Sequence, residues 1–170
     1  MREVFPRAKY ADYKRALCVL DHYNIDLSWD VVSTAGRMRS VEIFLNFMVM
    51  DMNMNILLSD PERAESAQVA RMNRFWGDES WHSTAYEEDP QRHLFWESGM
   101  VKVEDANEKI AEAYRRRLLD VAGFKFSPVP LRFPNSQGAT IYYLFFASPD
   151  PTANRIVQQI FDKYRQRKWF

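Results

Sequence analysis

Three side chains follow two apolar runs at positions where an α/β protein would carry its chemistry. Asp21 and Tyr23 come shortly after the run 16–20, and Asn46 lies near the end of the run 41–47. Ligands of open α/β sheets bind outside the carboxyl ends of the strands, so these side chains would meet at one sheet edge. There, a carboxylate can accept a hydrogen bond from an amine, and an aromatic face can orient a planar base. We therefore predict that Asp21, Tyr23 and Asn46 are the candidate catalytic residues.

Each of these residues also has a purely structural interpretation. Asp21 would cap the turn that follows its strand, and Tyr23 would pack against Trp29. Asn46 would satisfy backbone groups of the adjoining loop, as asparagine side chains often do. The residue types and spacing leave both interpretations open.

The remaining polar residues do not form a known catalytic or metal-binding pattern. Asp51, Asn53 and Asn55 alternate like the oxygen ligands of a calcium loop, but the glycine and terminal glutamate of such a loop are absent. We therefore predict a structural role for them. The three histidines lack metal-ligand spacing and there is one cysteine, so no zinc site is expected. Neither a nucleophile-elbow serine nor a phosphate-binding glycine loop occurs.

Composition is typical of a single globular domain. The chain has 170 residues, of which 46% are hydrophobic and 15% aromatic, which suffices to bury a core. Its net charge is zero, so composition provides no argument for a nucleic-acid partner. The longest apolar stretch, 141–147, is too short to cross a membrane. We therefore do not expect a membrane as a partner. The lone Cys18 is typical of a reducing environment, so we expect a cytoplasmic protein.

The order of the predicted elements indicates an α/β fold with helices on both faces of a partial sheet. The runs 16–20 and 41–47 flank a helix that begins after Ser28 and ends near Gly36, which predicts a parallel β-α-β unit. Strands at 124–133 and 140–147 are joined by five turn-forming residues and predict an antiparallel hairpin. We expect one domain over residues 1–170, with a helical insertion at 59–103.

Further helices are predicted from capping residues and apolar periodicity. Asp105 and Glu108 form a capping-box pattern at the start of a helix over 105–122. The methionine-rich segment 48–58 is expected to be a buried loop or a loose helical turn. The other predictions are helices at 61–73 and 79–86, a surface loop at 87–102, and a last helix that begins at Asp150 and Pro151.

Two clusters of basic or aromatic residues have competing interpretations. Arg71, Arg74, Phe75, Trp76 and Trp81 could stack on nucleobases, although the aromatic members are more typical of core anchors. The triplet at 115–117, three arginines in a row, is predicted to be a solvated helix face, because it cannot all face the core.

Ordered strings over most of the chain resemble those of the three-Cys-motif partner proteins, a family that looks like Rossmann-type methyltransferases. These strings are Leu17-Cys18-Val19-Leu20-Asp21 with Tyr23, Leu27-Ser28-Trp29, Glu42-Ile43-Phe44-Leu45-Asn46-Phe47, Val49-Met50-Asp51-Met52-Asn53, Arg74-Phe75-Trp76-Gly77-Asp78 with Trp81, Ala122-Gly123-Phe124, and Tyr142-Tyr143-Leu144-Phe145-Phe146-Ala147-Ser148. The resemblance implies the C-terminal part of a methyltransferase-like sheet, two parallel strands followed by a hairpin. It also implies a cysteine-motif protein as partner and S-adenosylmethionine as cofactor of the complete fold.

The chain departs from the family pattern in ways that bear on activity. The family's upstream acidic, glycine-containing loop binds S-adenosylmethionine and has no counterpart here, so we expect no cofactor site in this chain. The chain also has Asp21-His22-Tyr23-Asn24 where the family tends to have Asp-Pro-Tyr-Gly. We therefore expect an isolated chain without enzymatic activity. The alternative is a component of an S-adenosylmethionine-dependent methyltransferase that acts on an amine or nucleobase when an N-terminal half completes it.

The absence of a preceding strand has a consequence for association. If the first half of the sheet is missing, the strand at 16–21 has an unpaired and very apolar edge, and such edges invite pairing. We expect the chain to associate with itself, with a separate N-terminal half or with a partner protein.

Overall fold

The computed structural model describes residues 5–88 and 99–166 and contains one mixed four-stranded sheet. The strands are β1 (Ala16–Leu20), β2 (Val41–Phe47), β5 (Leu131–Pro134) and β6 (Thr140–Ala147), in the spatial order β1-β2-β6-β5. β1 and β2 are parallel, whereas β6 is antiparallel to both β2 and β5. The predicted parallel pair and C-terminal hairpin are therefore confirmed.

Six α-helices accompany the sheet in the described residues. They are α1 (Trp29–Met38), α2 (Val49–Asn55), α3 (Ser66–Trp76), α4 (Trp81–Ala85), α5 (Ala106–Asp120) and α6 (Pro151–Arg165). Ser28 caps α1 by accepting a hydrogen bond from the Asp30 amide, and Asp150 caps α6 through the Thr152 and Ala153 amides. None of the helices in the described ranges is long and apolar enough to cross a bilayer.

α1 connects the two parallel strands and continues past its predicted end. It runs through Gly36 to Met38, and Arg39 ends it in the left-handed conformation. Gly36 lies inside the helix and packs closely against the backbone of Ala122. A Cβ atom at this position would be 2.1 Å from the carbonyl oxygen of Ala122, so no larger residue fits. The glycine therefore serves close packing rather than helix termination.

The hairpin strand β5 is shorter than the prediction of 124–133. Pro128 and Pro130 interrupt that segment and lack the N–H that a strand ladder requires, so regular pairing begins only at Leu131. Before them, Phe126 forms an isolated bridge with Ser148. In the turn, the side chain of Asn135 accepts hydrogen bonds from the Gln137 and Ala139 amides.

Helices cover both faces of the sheet, as predicted, but they cover them unequally. On one face, Ile43, Leu45 and Phe47 of β2 are fully buried in the main core with α1, α3 and α5. On the other face, α6 packs over β5 and β6 through Val157 and Phe161, with Phe44 of β2 at its margin. β1 has no such cover on this second face.

Three local predictions in the insertion and its surroundings were wrong. The helix expected at 61–73 is a 3-10 turn at Pro61–Arg63 followed by α3, with extended backbone at Ala64 and Glu65 between them. The expected loop at 87–102 includes paired strands β3 (Tyr86–Glu88) and β4 (Met100–Lys102) at its ends, and residues 89–98 lie outside the described residues. Asp105 has a φ of 56° and its side chain does not cap α5.

Candidate functional site

Asp21 and Asn46 meet at the carboxyl ends of the two parallel strands. Asp21 follows β1 directly, and Asn46 is the penultimate residue of β2. The Asn46 Nδ2 atom donates a hydrogen bond to Asp21 Oδ1. The carboxylate is exposed and the amide is half-buried, so the pair lies at the surface of the sheet edge. The amide fixes one carboxylate oxygen and leaves the other oriented for a further donor.

Tyr23 lies two residues beyond Asp21 and points into solvent. Its side chain is 92% exposed, so it does not pack against Trp29. The Trp29 ring instead contacts the edge of Tyr114 and the guanidinium of Arg117. An exposed aromatic ring next to an exposed carboxylate is available for stacking on a planar group.

Tyr142 is a neighbour of this pair that sequence reasoning did not identify as a site residue. It lies on β6, which runs antiparallel to β2 and brings its first residues beside the carboxyl end of β2. Burial and then the charge of Asp21 raise the pKa of the Tyr142 hydroxyl. Its ring stacks on Phe133 at 4.6 Å between centroids. The position of β6 next to β2, which places Tyr142 here, has no signal in the sequence.

His22 turns away from this edge into the protein. Its Nδ1 atom lies 3.2 Å from the carbonyl oxygen of Leu20, and its ring is 5.8 Å from that of Phe75. Because a carbonyl only accepts, the neutral ring carries its proton on Nδ1. Burial lowers the pKa of His22, partly opposed by that hydrogen bond and by nearby carboxylates. The buried Nε2 atom is therefore an unprotonated nitrogen without a hydrogen-bond partner in the described structure.

Asp51 of α2 connects the loop after β1, which carries Tyr23, to helices α2 and α3. Its carboxylate accepts a hydrogen bond from the Ile25 amide at 3.1 Å and one from the Asn55 side chain at 2.8 Å. It also forms an ion pair with Arg71 at 3.0 Å, in which each side chain is 16% exposed. These contacts use the carboxylate for structure, as predicted.

Asn53 is engaged in a separate contact between segments. It donates to Asn107 at 2.9 Å and accepts from the Lys102 ammonium at 2.7 Å. Within residues 5–88 and 99–166, no group of three or more histidine, cysteine, aspartate or glutamate side chains is arranged to hold a metal ion.

The aromatic members of the 71–81 cluster are core anchors. Phe75, Trp76 and Trp81 are at most 2% exposed, and Phe75 stacks on Tyr114 at 5.1 Å. Their burial makes them unable to stack on a nucleobase.

The arginine triplet at 115–117 is not the uniformly solvated face that was predicted. Arg117 is only 14% exposed at its side chain and pairs with Asp78 at 2.8 Å. Its guanidinium also lies over the rings of Trp29 and Trp76, at 5.0 and 5.4 Å. Arg117 lies on the side of α5 that faces the insertion. Arg116, the residue before it, is 70% exposed.

A cavity of about 430 Å³ opens at the opposite end of the sheet from Asp21. Its lining includes Arg15, Arg39, Glu42, Lys125 and Asp150. None of the predicted site residues borders this cavity, so the candidate site is a surface feature of the other sheet edge.

Comparison of the chain with protein families, curated proteins and solved structures finds no match in any of the three. The functional argument therefore depends on the geometry of the chain's own residues.

Proposed function

We propose that this chain is the substrate-side part of a methyltransferase-like domain of the three-Cys-motif partner type, without activity on its own. The observation that carries this proposal is the hydrogen bond between Asp21 and Asn46 across the ends of adjacent parallel strands. Open α/β sheets bind their ligands at that edge. The strand order, with the last strand inserted beside the parallel pair, supports the same assignment.

The arrangement suits a planar ligand that carries an amino group. Asp21 can accept an N–H bond from that group, and Asn46 holds the carboxylate in place. Tyr23 can cover one face of the ring, because its own ring is exposed. Binding in this orientation would hold the amine nitrogen beside Asp21, whose carboxylate would polarise the N–H bond.

Within residues 5–88 and 99–166, the glycines do not form a loop that fits S-adenosylmethionine. A cofactor loop needs glycines whose backbone can approach the ligand closely. Gly36 and Gly77 are instead packed against Ala122 and Trp29. Gly123 follows α5, Gly138 lies in the hairpin turn, and Gly99 directly precedes the short strand β4, so none of them directly follows a strand of the main sheet. A methyl donor would therefore have to be held by another polypeptide segment, and this chain's role is to bind and orient the acceptor.

The acceptor site can be tested by titrating the purified chain with adenosine and recording amide and side-chain NMR shifts. We expect shifts at residues 21–24 and at the Asn46 side-chain amide. Tyr23→Leu should weaken binding by about tenfold, because stacking on one base contributes about 1–3 kcal/mol. Tyr13→Leu is the matched control, since Tyr13 is 93% exposed and lies before β1. Equal weakening by both variants, or shifts confined to other regions, would contradict the site.

A parallel titration with S-adenosylmethionine tests the absence of a cofactor site. We expect no saturable shifts. Saturable binding by the chain alone would show that it holds its own methyl donor and would overturn the inactive-chain proposal.

A non-catalytic interaction module is the second candidate function. It is favoured by the edge strand β1, where Leu17 and Val19 are 57% and 65% exposed. This candidate predicts association that requires Val19 and is unchanged by Tyr23→Leu. The acceptor-site candidate predicts that Tyr23→Leu weakens adenosine binding, whatever happens at Val19.

A further inference from the structure

The outer edge of β1 presents backbone groups without a strand partner in the described structure. β1 pairs only with β2 there, and the Ala16 amide donates to the Ser40 carbonyl at 3.0 Å. Backbone groups of alternate residues in a parallel ladder face the same neighbour, so Ala16, Cys18 and Leu20 face β2. The N–H and C=O groups of Leu17 and Val19 therefore point outward, where another strand can bind.

The side chains of the same two residues are also uncovered. Leu17 and Val19 share one face of the sheet and are more than half exposed. Their neighbours Ala16, Cys18 and Leu20 pack against the main core on the other face. The outer edge of β1 thus combines free backbone groups with exposed apolar side chains, as the edge of a pairing strand does.

The charges that flank this edge are complementary to those of a second copy. Arg15 precedes β1 and Asp21 follows it, both on the same face as Leu17 and Val19 by strand alternation. No carboxylate in the described ranges is within ion-pair distance of Arg15. Its guanidinium lies over the ring of Tyr10 and donates one hydrogen bond to the Arg39 carbonyl at 3.1 Å, which leaves other N–H donors of the fork for a carboxylate. In an antiparallel pair centred on Cys18, Arg15 of each copy lies opposite Asp21 of the other.

We infer that two copies of this chain pair through β1 in antiparallel register about a twofold axis at Cys18. Leu17 of each copy then lies opposite Val19 of the other, and their outward N–H and C=O groups exchange hydrogen bonds. Cys18 occupies the intervening non-hydrogen-bonded position, because its own backbone groups bond to β2. The two four-stranded sheets become one continuous sheet, and the exposed apolar pairs cover each other.

This inference does not depend on the proposed acceptor site. Asn46 engages only one oxygen of Asp21, and the other can accept from Arg15 of the second copy. An acceptor amine would use that same oxygen, so dimer formation and acceptor binding compete for Asp21. A strand from a cofactor-binding segment would use the same edge. The dimer and a completed methyltransferase-like domain are therefore mutually exclusive, and the dimer is the state of this chain when no such segment is present.

The first test is the molar mass of the full chain by analytical ultracentrifugation over a broad dilution series. We expect a dimer that dissociates on dilution. Val19→Lys should abolish it, because a lysine on the shared face meets the apolar side chains of the other copy. Val129→Lys is the control, since Val129 is 56% exposed and precedes the opposite edge strand β5. A monomer at all concentrations, or a dimer that survives Val19→Lys, would overturn the inference.

The second test uses Cys18, the one cysteine of the chain, as a reporter of the register. Opposed residues at a non-hydrogen-bonded position have Cα atoms about 4.5 Å apart, within the range that a disulfide spans. Mild oxidation should therefore link two chains covalently. Burial raises the pKa of the Cys18 thiol, so the reaction is run at alkaline pH. The double variant Cys18→Ser, Leu17→Cys should be linked far less, and equal linking would refute the register.

Charge reversal provides a third test that does not alter the apolar pairs. Arg15→Glu and Asp21→Arg should each weaken the dimer, and the double variant should restore it, because the pair is re-formed with opposite sign. Circular dichroism of each variant verifies that the monomer is folded. Failure of the double variant to recover association would contradict the predicted opposition of Arg15 and Asp21.

Discussion

At the scale of single residues, Asp21 and Asp51 show how two carboxylates in one region differ in their surroundings. Asp21 is exposed and accepts one hydrogen bond from Asn46, so it can receive a ligand. Asp51 is mostly buried and is occupied by Arg71, Asn55 and the Ile25 amide. The difference follows from burial and from the number of donors around each carboxylate.

The ion pair between Asp51 and Arg71 should contribute much more to stability than the pair between Asp26 and Arg74. Arg71→Met leaves a buried carboxylate without its cation, and we expect it to lower the free energy of unfolding by about 3 kcal/mol. Arg74→Met breaks a pair whose side chains are more than half exposed, so we expect a loss under about 1 kcal/mol. Urea denaturation of both variants measures the difference. Equal losses in the free energy of unfolding would show that the Asp51 carboxylate does not need Arg71 to compensate its charge.

The buried ring of His22 should make stability depend on pH. Burial lowers the pKa of His22 below its usual 6.5, so the unfolded chain binds this proton more tightly than the folded chain. The contribution of His22 is therefore complete above pH 6.5 and is lost as the pH falls through the folded-state pKa. His22→Asn should remove this part of the dependence, measured by urea denaturation in a series of buffers. His82→Asn is the control, and an unchanged dependence in His22→Asn would contradict the assignment.

At the scale of elements, the contacts between α1 and its neighbours depend on small residues and on one cation. Gly36 allows the backbone at Ala122 to approach the helix. At the other end of α1, the Trp29 ring makes an edge-to-face contact with Tyr114 and lies beneath the guanidinium of Arg117. α1 is thereby held against α5, and through Arg117 against the insertion that carries Asp78.

Gly36→Ala should destabilise the protein although alanine favours helices. The new Cβ would be 2.1 Å from the Ala122 carbonyl oxygen, and overpacking of this kind costs about 1–3 kcal/mol beyond the helix-propensity gain. Gly123→Ala has open space around its Cβ but a φ of 86°, so its cost of about 1 kcal/mol comes from backbone conformation alone. Thermal denaturation compares the two. A stabilised Gly36→Ala variant would show that α1 can move away from Ala122.

At the scale of the whole molecule, one asymmetry of the sheet underlies the association that we propose. β5 and β6 are covered by α6, and the main core covers the opposite face, but the second face of β1 is open. Val157 and Phe161 of α6 lie against Leu131 and Phe146, far along the sheet from Leu17. On this face the apolar side chains of β5 and β6 are therefore covered by α6, whereas those of β1 are exposed.

Hydrogen exchange should report this asymmetry. In dilute solution, the outward amides of Leu17 and Val19 should exchange much faster than those of the central strands β2 and β6, which are paired on both sides. At high protein concentration, the same two amides should become protected, and Val19→Lys should keep its Leu17 amide unprotected. Mass spectrometry or NMR at two concentrations makes the comparison. Concentration-independent exchange at Leu17 would contradict strand pairing between copies.

Local patterns in the sequence determined the elements whose signals are short-range. The bounds of β1, β2 and β6 and the caps Ser28 and Asp150 were predicted correctly, because apolar runs and capping side chains act within a few residues. The same reasoning brought Asp21 and Asn46 to one sheet edge, since adjacent parallel strands end on the same side. The capping prediction was wrong at Asp105. This residue has a positive φ, which the capping-box pattern does not indicate.

Only the tertiary structure decided which strands are neighbours and which charges are buried. β6 lies between β2 and β5, and this placement brings Tyr142 to the candidate site. The burial of Arg117 against two tryptophans likewise depends on how α5 meets α1 and the insertion. The physical reason is the same in each case. Alternation and capping depend on chain neighbours, whereas strand order and the burial of a charge depend on residues far apart in sequence, whose packing is settled by the core as a whole.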